Sequence, residues 1–283
     1  MFSYRFKRRA GRVIPIIIAV ILFIIMLFPL YWMFTCSLKT ETEIFARPPY
    51  MLPPHPTLNA YISQLTMVES FPIIPSFKNS MVISLATMAI SVVLSTLASY
   101  GLARYDIKFK KSIIFLFLVS QMLPQVFTLV PNFIIFKHIG IYNTYWAPIF
   151  ANCTTAIPFS ILMLRTYFLN IPKEVDDAAL IDGCNPLTSF FRVMLPIAST
   201  GVVVSFVFSF LFGYADMMYS LTFVNDASKW PVTTGIYNVV GRYGIEWSRA
   251  MAFGCLAVAP VVIIFLLMQR YIVEGLASGA VKG

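Results

Sequence analysis

Six long apolar runs dominate the sequence, at residues 13–37, 77–103, 112–136, 145–169, 197–221 and 250–271. A helix that crosses the ~30 Å hydrocarbon core of a bilayer needs about 20 mostly apolar residues, because each adds 1.5 Å. Every run reaches that length, so the expected fold is an all-α membrane protein with six transmembrane helices. Composition agrees. Only 12% of the 283 residues are charged and 59% are hydrophobic, whereas a soluble domain carries about 25% charged residues. Hydrophobicity on this scale excludes intrinsic disorder, and four Cys in so long a chain make no disulfide framework.

Charge gives the orientation. With the N-terminus inside, 14 of the 21 Lys and Arg fall on cytoplasmic segments, nine of them in tight clusters at 5–12 and 104–111. Short cytoplasmic loops are enriched in these residues, so both termini are expected in the cytoplasm. The net charge of +9 thus reads as topology rather than as a nucleic-acid footprint. The first apolar run is about twice the length of a signal peptide's core and no small-residue cleavage site follows it, which makes it a retained span. The layout divides the chain into an N-terminal segment, 1–76, with the first span and a Pro-rich outer loop, and a five-helix core, 77–283, which includes a cytoplasmic loop at 170–196. The segment 222–248 is long enough for a small external cap.

Familiar catalytic arrangements are missing from the sequence. His55 and His138 lie on different outer loops, neither at a metal-ligand spacing. Cys36, Cys153, Cys184 and Cys255 form no C-x-x-C pair and read as small hydrophobes. No phosphate-binding G-x-x-x-x-G-K-[ST] loop is present, so any ATP that powers the protein is hydrolysed on another polypeptide. No nucleophile–base–orienter set is visible, and no catalytic residue or metal ligand is assigned.

Polar residues inside the runs are few. Ionisable groups at membrane depth are functional by default. Asp216 either lines a hydrophilic cavity or caps the outer end of the fifth span, and Arg165 snorkels to the inner surface. Gln121, Gln125 and Asn132, interspersed with Pro124 and Pro131, suggest a kinked helix beside a wet cavity, since broken backbone at that depth must be resatisfied by protein or water. These residues, with Tyr214 and Asp216, are the candidate solute path. Thr87, Ser91, Ser95 and Ser99 recur every four residues, as a helix–helix seam or as a polar stripe would require.

The cytoplasmic loop at 171–183 is the most informative stretch. Pro172 suits a first helical turn, Glu174, Asp176 and Asp177 sit near the positive end of the helix dipole, and Gly183 suits the position just past the end. A helix of two to three turns is expected, with Val175, Ala178, Ala179 and Leu180 on its apolar face. A second segment runs through Phe190, Phe191 and Val193 to Leu195-Pro196.

Asp177-Ala178-Ala179, three residues, Gly183, nine residues, then Val193-Met194-Leu195-Pro196 resembles the E-A-A loop of binding-protein-dependent ABC importer permeases, with Asp for Glu and Val for Ile. Ile181-Asp182-Gly183, the run from Ile139 to Trp146 and the C-terminal Glu274-Gly275-Leu276 and Gly279-Ala280-Val281-Lys282-Gly283 are similar to the smaller permease of the maltose-type family. The resemblance implies a type I importer permease fold in the bacterial inner membrane. It implies a dimer of ATPase subunits, carrying ATP and Mg, docked on Glu174, Asp176, Asp177, Ala178, Ala179, Asp182, Gly183, Leu195 and Pro196. A C-terminal tail of Gly279, Val281, Lys282 and Gly283 would reach the ATPase, and a second permease and an extracytoplasmic solute-binding protein would complete the assembly beside membrane lipid. The expected cargo is a saccharide; alternatives are a polyamine or glycerol phosphate, or an ion-coupled transporter acting alone. Tyr214-Ala215-Asp216-Met217 departs from the Trp-Asn-Glu/Asp-Phe of many relatives, so a particular solute does not carry over.

Overall fold

The structure, a computed structural model, describes residues 2–66, 73–235 and 246–280. Among these, all regular structure is helical. The chain divides into two compact units. One comprises residues 1–72 and 238–258, the other 73–237 and 259–283.

The first unit contains α1 (Phe2–Ser37), α2 (Glu41–Ile44), α3 (Asn59–Thr66) and the beginning of the last helix (Trp247–Ala280). Side chains 14–31 of α1 are all exposed, as apolar residues facing lipid would be. The Pro-rich segment after α1 is nevertheless well tied. Lys39 is 1% exposed; its Nζ donates to the Tyr50 carbonyl at 2.6 Å and lies 4.3 Å from the Trp32 ring centroid. The cation–π contact offsets part of the desolvation of the ammonium. Ser37 and Tyr61 share a 2.6 Å hydroxyl contact, the Thr57 amide donates to the Leu38 carbonyl at 3.0 Å, and Glu41 accepts from the amide and hydroxyl of Ser248. Glu43 accepts from His55 at 2.9 Å and from the Thr40 amide, which holds its carboxyl below the usual value.

The second unit is built on α4 (Ile73–Arg104), α7 (Trp146–Asn170) and α11 (Ser199–Tyr214). In lipid, apolar side chains gain nothing by leaving one helix for another, so close backbone approach and interhelical hydrogen bonds must hold helices together. The α4 face is accordingly small and polar. Ser84, Thr87, Ser91, Ser95 and Ser99 are fully buried. Ser91 reaches Cys153 Sγ at 3.6 Å, Ser95 donates to the Ile157 carbonyl at 3.1 Å, and Ser160 on α7 pairs with Ser209 on α11 at 3.1 Å. The four-residue repeat is therefore the helix–helix seam. A Cβ on Gly213 of α11 would sit 2.7 Å from Ser84 Cα, and one on Gly201 2.6 Å from the Tyr167 ring.

Among the described residues, four helices are long and apolar enough to cross a membrane, Ile14–Ser37 of α1, then α4, α7 and Trp247–Tyr271, and six spans result if each of two bent helix pairs counts as one. The third and fifth expected spans are not single helices. Residues 112–136 form α5 (Lys110–Met122) and α6 (Gln125–His138), bent by 102°. Pro124 has no amide to donate and disfavours helical backbone before it; Leu123 is extended at ψ 122°. Pro131 stays inside α6. The run 197–221 is also interrupted. Residues Pro186–Ile197 meet α11 at a 79° bend, α11 ends at Tyr214, and α12 (Met218–Phe223) restarts after three residues. Asp216 makes the restart possible, because its carboxylate accepts from the Tyr219 and Ser220 amides at 3.0 and 3.1 Å, as a capping side chain does.

Beyond α12, residues 224–232 form an ordered cap. Asn143, at φ 61°, accepts from the Asn225 and Asp226 amides. Asn79 donates to the Ser228 and Trp230 carbonyls and accepts from the Tyr145 hydroxyl at 2.7 Å. The rest of the cap expected at 222–248 extends through residues 236–245, outside those described.

Gly213→Ala should lower the stability of the detergent-solubilised protein by about 1–3 kcal/mol through overpacking. Gly101→Ala, where an added Cβ meets nothing within 4 Å, should leave the thermal midpoint unchanged or raise it. Lys39→Met should speed limited chymotrypsin cleavage at the exposed Phe45 and Tyr50 several-fold, and Lys39→Arg should restore part of the protection.

Candidate functional site

The loop after α7 folds as α8 (Lys173–Ile181), then α9 (Pro186–Ser189), a π-helical turn at Phe190–Met194 and α10 (Leu195–Ile197). Pro172 sits one position earlier than expected, as the residue capping α8. The helix ends in two closing bonds, Cys184 amide to Ala179 carbonyl at 3.0 Å and Gly183 amide to Leu180 carbonyl at 3.1 Å. That 6→1 and 5→2 pattern requires a left-handed residue just past the end, and Gly183 supplies it at φ 83°. Asn185 then caps α9 by accepting from the Thr188 amide at 2.8 Å.

One face of α8 is held and the other is free. On the held face, Asp176 Oδ2 lies 2.7 Å from Arg104 Nε at the end of α4, with both side chains largely buried. Tyr100 donates to Asp176 Oδ1 at 3.2 Å, and Arg104 Nη2 donates to the Ile171 carbonyl at 2.8 Å. Removing one partner of a buried ion pair costs roughly 3–5 kcal/mol, so this contact locks α8 to α4. Ala179 is buried, and Val175 packs on a core of Tyr100, Phe168, Phe190 and Met194, which Leu195 also joins. Of the residues expected to meet a partner, Asp176 and Ala179 therefore face their own chain. Glu174, Asp177, Ala178, Asp182, Gly183 and Pro196 are exposed. Leu180 and Ile181 are exposed too, at 51% and 86%. For an isoleucine, the latter value marks a surface that the described residues leave uncovered.

The candidate solute-path residues separate into two groups. Gln125, at the start of α6, and Asp216 line a common cavity of about 430 Å³ with Phe208, Leu211, Phe212 and Ala215. Asp216 thus faces a cavity and also caps a helix, though the helix is α12 rather than the fifth span. Gln121 instead donates to the Thr155 carbonyl at 3.0 Å and joins α5 to α7. Tyr214 is buried and stacked on Phe210 at 5.5 Å. Asn132 lies on α6 and does not line the cavity. In the C-terminal tail, Gly279 belongs to the last helix, while Val281, Lys282 and Gly283 lie outside the described residues.

Arg104 and Tyr100 are absent from the sequence-derived set. In the sequence Arg104 is one more inside positive charge, and nothing marks it as the partner of Asp176, 72 positions away. Phe208 and Phe212 are likewise hidden among 26 phenylalanines. Their i, i+4 spacing is the only trace, and it is equally that of lipid-facing residues.

Comparison with known proteins shows the family. Residues 91–278 match the family described as "Binding-protein-dependent transport system inner membrane component". The chain is 34% identical over 257 residues to a probable ABC transporter permease protein, YurM, of Bacillus subtilis, covering 90% of this chain and 84% of that one. It is 31% identical to the trehalose/maltose transport system permease protein MalG of Thermococcus litoralis, covering 96% and 97%. Its fold is similar to that of a bacterial ABC transporter involved in import of the acidic polysaccharide alginate, at TM-score 0.77 and 16% identity, over 94% of this chain and 98% of that one. The alginate transporter is also solved in complex with its pentasaccharide-bound periplasmic protein, matching at TM-score 0.68 and 14% identity, over 94% and 96%. The permease fold, the apolar helices and the family match agree in making this chain a transport component and not an enzyme. It belongs to the family of binding-protein-dependent transport system inner membrane components, the membrane-spanning permeases of ABC transporters.

Proposed function

We propose that the chain is a permease subunit of an ATP-driven saccharide importer, in which α8 passes the motion of a cytoplasmic ATPase to the helix bundle. The observation that carries this is the division of α8 into a locked face and a bare one. A coupling element must be rigid toward the part it moves and sticky toward the part that moves it. Arg104 and Asp176 supply the rigidity. Leu180 and Ile181 supply the adhesive area, since burying each is worth about 1.5–3 kcal/mol. Glu174, Asp177, Ala178, Asp182 and Gly183 border that area, and Pro196 is the further exposed residue of the loop. On this reading Asp176, Ala179 and Leu195 act from behind, by holding the docking surface in place.

The partners follow the resemblance of the loop. A dimer of ATPase subunits carries ATP and Mg. A second, homologous permease completes the pore, and a solute-binding protein delivers cargo on the far side. Both termini lie in the cytoplasm, and the tail through Gly279 to Gly283 reaches toward the ATPase. Each nucleotide state must bind the permease with a different free energy, or no conformational work is done. Saccharide cargo is supported by the 31% identity to a trehalose/maltose permease.

Three measurements test this reading. Ile181→Asp combined with Asp177→Lys should abolish co-purification of the ATPase and reduce uptake at least about tenfold, the effect of losing 1.4 kcal/mol or more, while membrane insertion is unchanged. Uptake at the parent rate would overturn the docking role. Gly183→Val forces a β-branched residue into left-handed backbone, a strain of about 1–3 kcal/mol, and should uncouple ATP hydrolysis from uptake. Gly183→Asn, which tolerates that backbone, should stay coupled. The complete importer in proteoliposomes should take up at least one of trehalose, maltose and longer neutral glucans only when ATP is present. Uptake of none, or uptake without the ATPase, would overturn the assignment.

A further inference from the structure

The expected spans of the second unit are interrupted at three places, and two of these border one cavity. Non-helical backbone at membrane depth survives only where protein or water satisfies it, and transporters place such breaks around cargo. The first of the two is at Leu123-Pro124, just before Gln125 opens α6; the second is at Ala215–Met217, between α11 and α12. Gln125, Ala215, Asp216 and Met217 all line the 430 Å³ cavity, a volume within the ~300–1,000 Å³ of small-molecule sites.

The chemistry of the wall is specific. Phe208 and Phe212 lie one turn apart on α11 and present an aromatic surface. Phe159 of α7 braces both, at 5.1 and 5.5 Å between ring centroids. Among the lining residues Asp216 is the one charged group. Its carboxylate accepts from the Tyr219 amide, the Ser220 amide and the Ser220 hydroxyl at 3.0, 3.1 and 2.7 Å. The group is thus fixed in orientation, and much of its charge is already answered. The Asn152 side chain is a further donor toward it, so the roughly four lone-pair sites of the carboxylate are largely taken. Gln125 adds an amide that can donate or accept.

We infer that this cavity is a sugar subsite contributed by this subunit, and that it takes a neutral ring rather than a uronate. The inference rests on the saccharide reading above and narrows it. The C–H face of a pyranose stacks on Phe208 and Phe212, while its hydroxyls exchange hydrogen bonds with Gln125. A uronate would bring its carboxylate against Asp216 with no cation in the lining to offset the repulsion. A free cation would find a carboxylate that four donors already engage. Gln121 and Tyr214 stay outside the subsite, one joining helices and the other stacked in the core.

The test uses the complete importer in proteoliposomes with Cys184→Ser and Cys255→Ser, adding Ala215→Cys at the cavity wall. N-ethylmaleimide is the probe. Saturating amounts of the neutral saccharide that the importer takes up should slow labelling of the introduced thiol about tenfold, because only the empty fraction reacts. A uronate oligomer of the same length should not slow it. Phe212→Leu, which keeps an apolar side chain but removes the ring, should reduce uptake about fivefold, the scale of one lost stacking contact. Uptake that proceeds while labelling ignores the neutral sugar would overturn the subsite and leave the importer reading intact. Equal protection by the uronate would overturn the charge selectivity. A parent importer that takes up no saccharide would remove the functional reading first, and the subsite with it.

Discussion

The close approach of α4 to α7 and α11 is the constraint on which the second unit depends. Lipid removes the usual reason for apolar side chains to leave one surface for another, so these helices meet through what they lack in bulk. Ser84, Thr87, Ser91, Ser95 and Ser99 let the backbones come near, and Gly213 fits against the Ser84 backbone with no room for a methyl group. Because α4 is fixed there, its end is a stable platform, and Arg104 at that end can hold α8. Because α11 is fixed there as well, it can stop at Tyr214 without losing its place, and the chain can turn into a cavity instead of continuing as a span. Seam, loop and cavity are successive consequences of one packing choice.

The sequence makes some of this legible and hides the rest for physical reasons. The apolar runs are legible because hydrophobic length is a property of neighbouring residues. So is the end of α8, since Gly183 meets a local need for left-handed backbone, and so is the four-residue Ser repeat, whose period is helical. The breaks are only partly legible. Pro124 announces a disturbance, yet Pro131 and Pro158 look alike on paper and remain inside helices. The break at 215–217 carries no proline or glycine, and its cause is a carboxylate capturing two amides further along the chain.

Long-range pairings are the least legible of all. Asp176 stands in an acidic cluster whose members look interchangeable, but only Asp176 meets Arg104, while Asp177 next to it is exposed. The helix turns adjacent residues by about 100°, and nothing local says which direction is inward. The same holds for Asn79 and Asn143, two polar residues in ordinary contexts that gather the amides and carbonyls of a cap some eighty or more residues away.

The proline-rich stretch between α1 and α3 has a consequence for recognition. Fixing a flexible residue costs about 1–2 kcal/mol, and a loop that orders only on contact must recover that cost from the contact itself. Here Lys39, Ser37 and Leu38 hold the stretch in shape beforehand through Tyr50, Tyr61 and Thr57. A macromolecule landing on it would meet a surface already set. Recognition could then be selective while resting on few contacts, which suits an encounter that must end as readily as it begins.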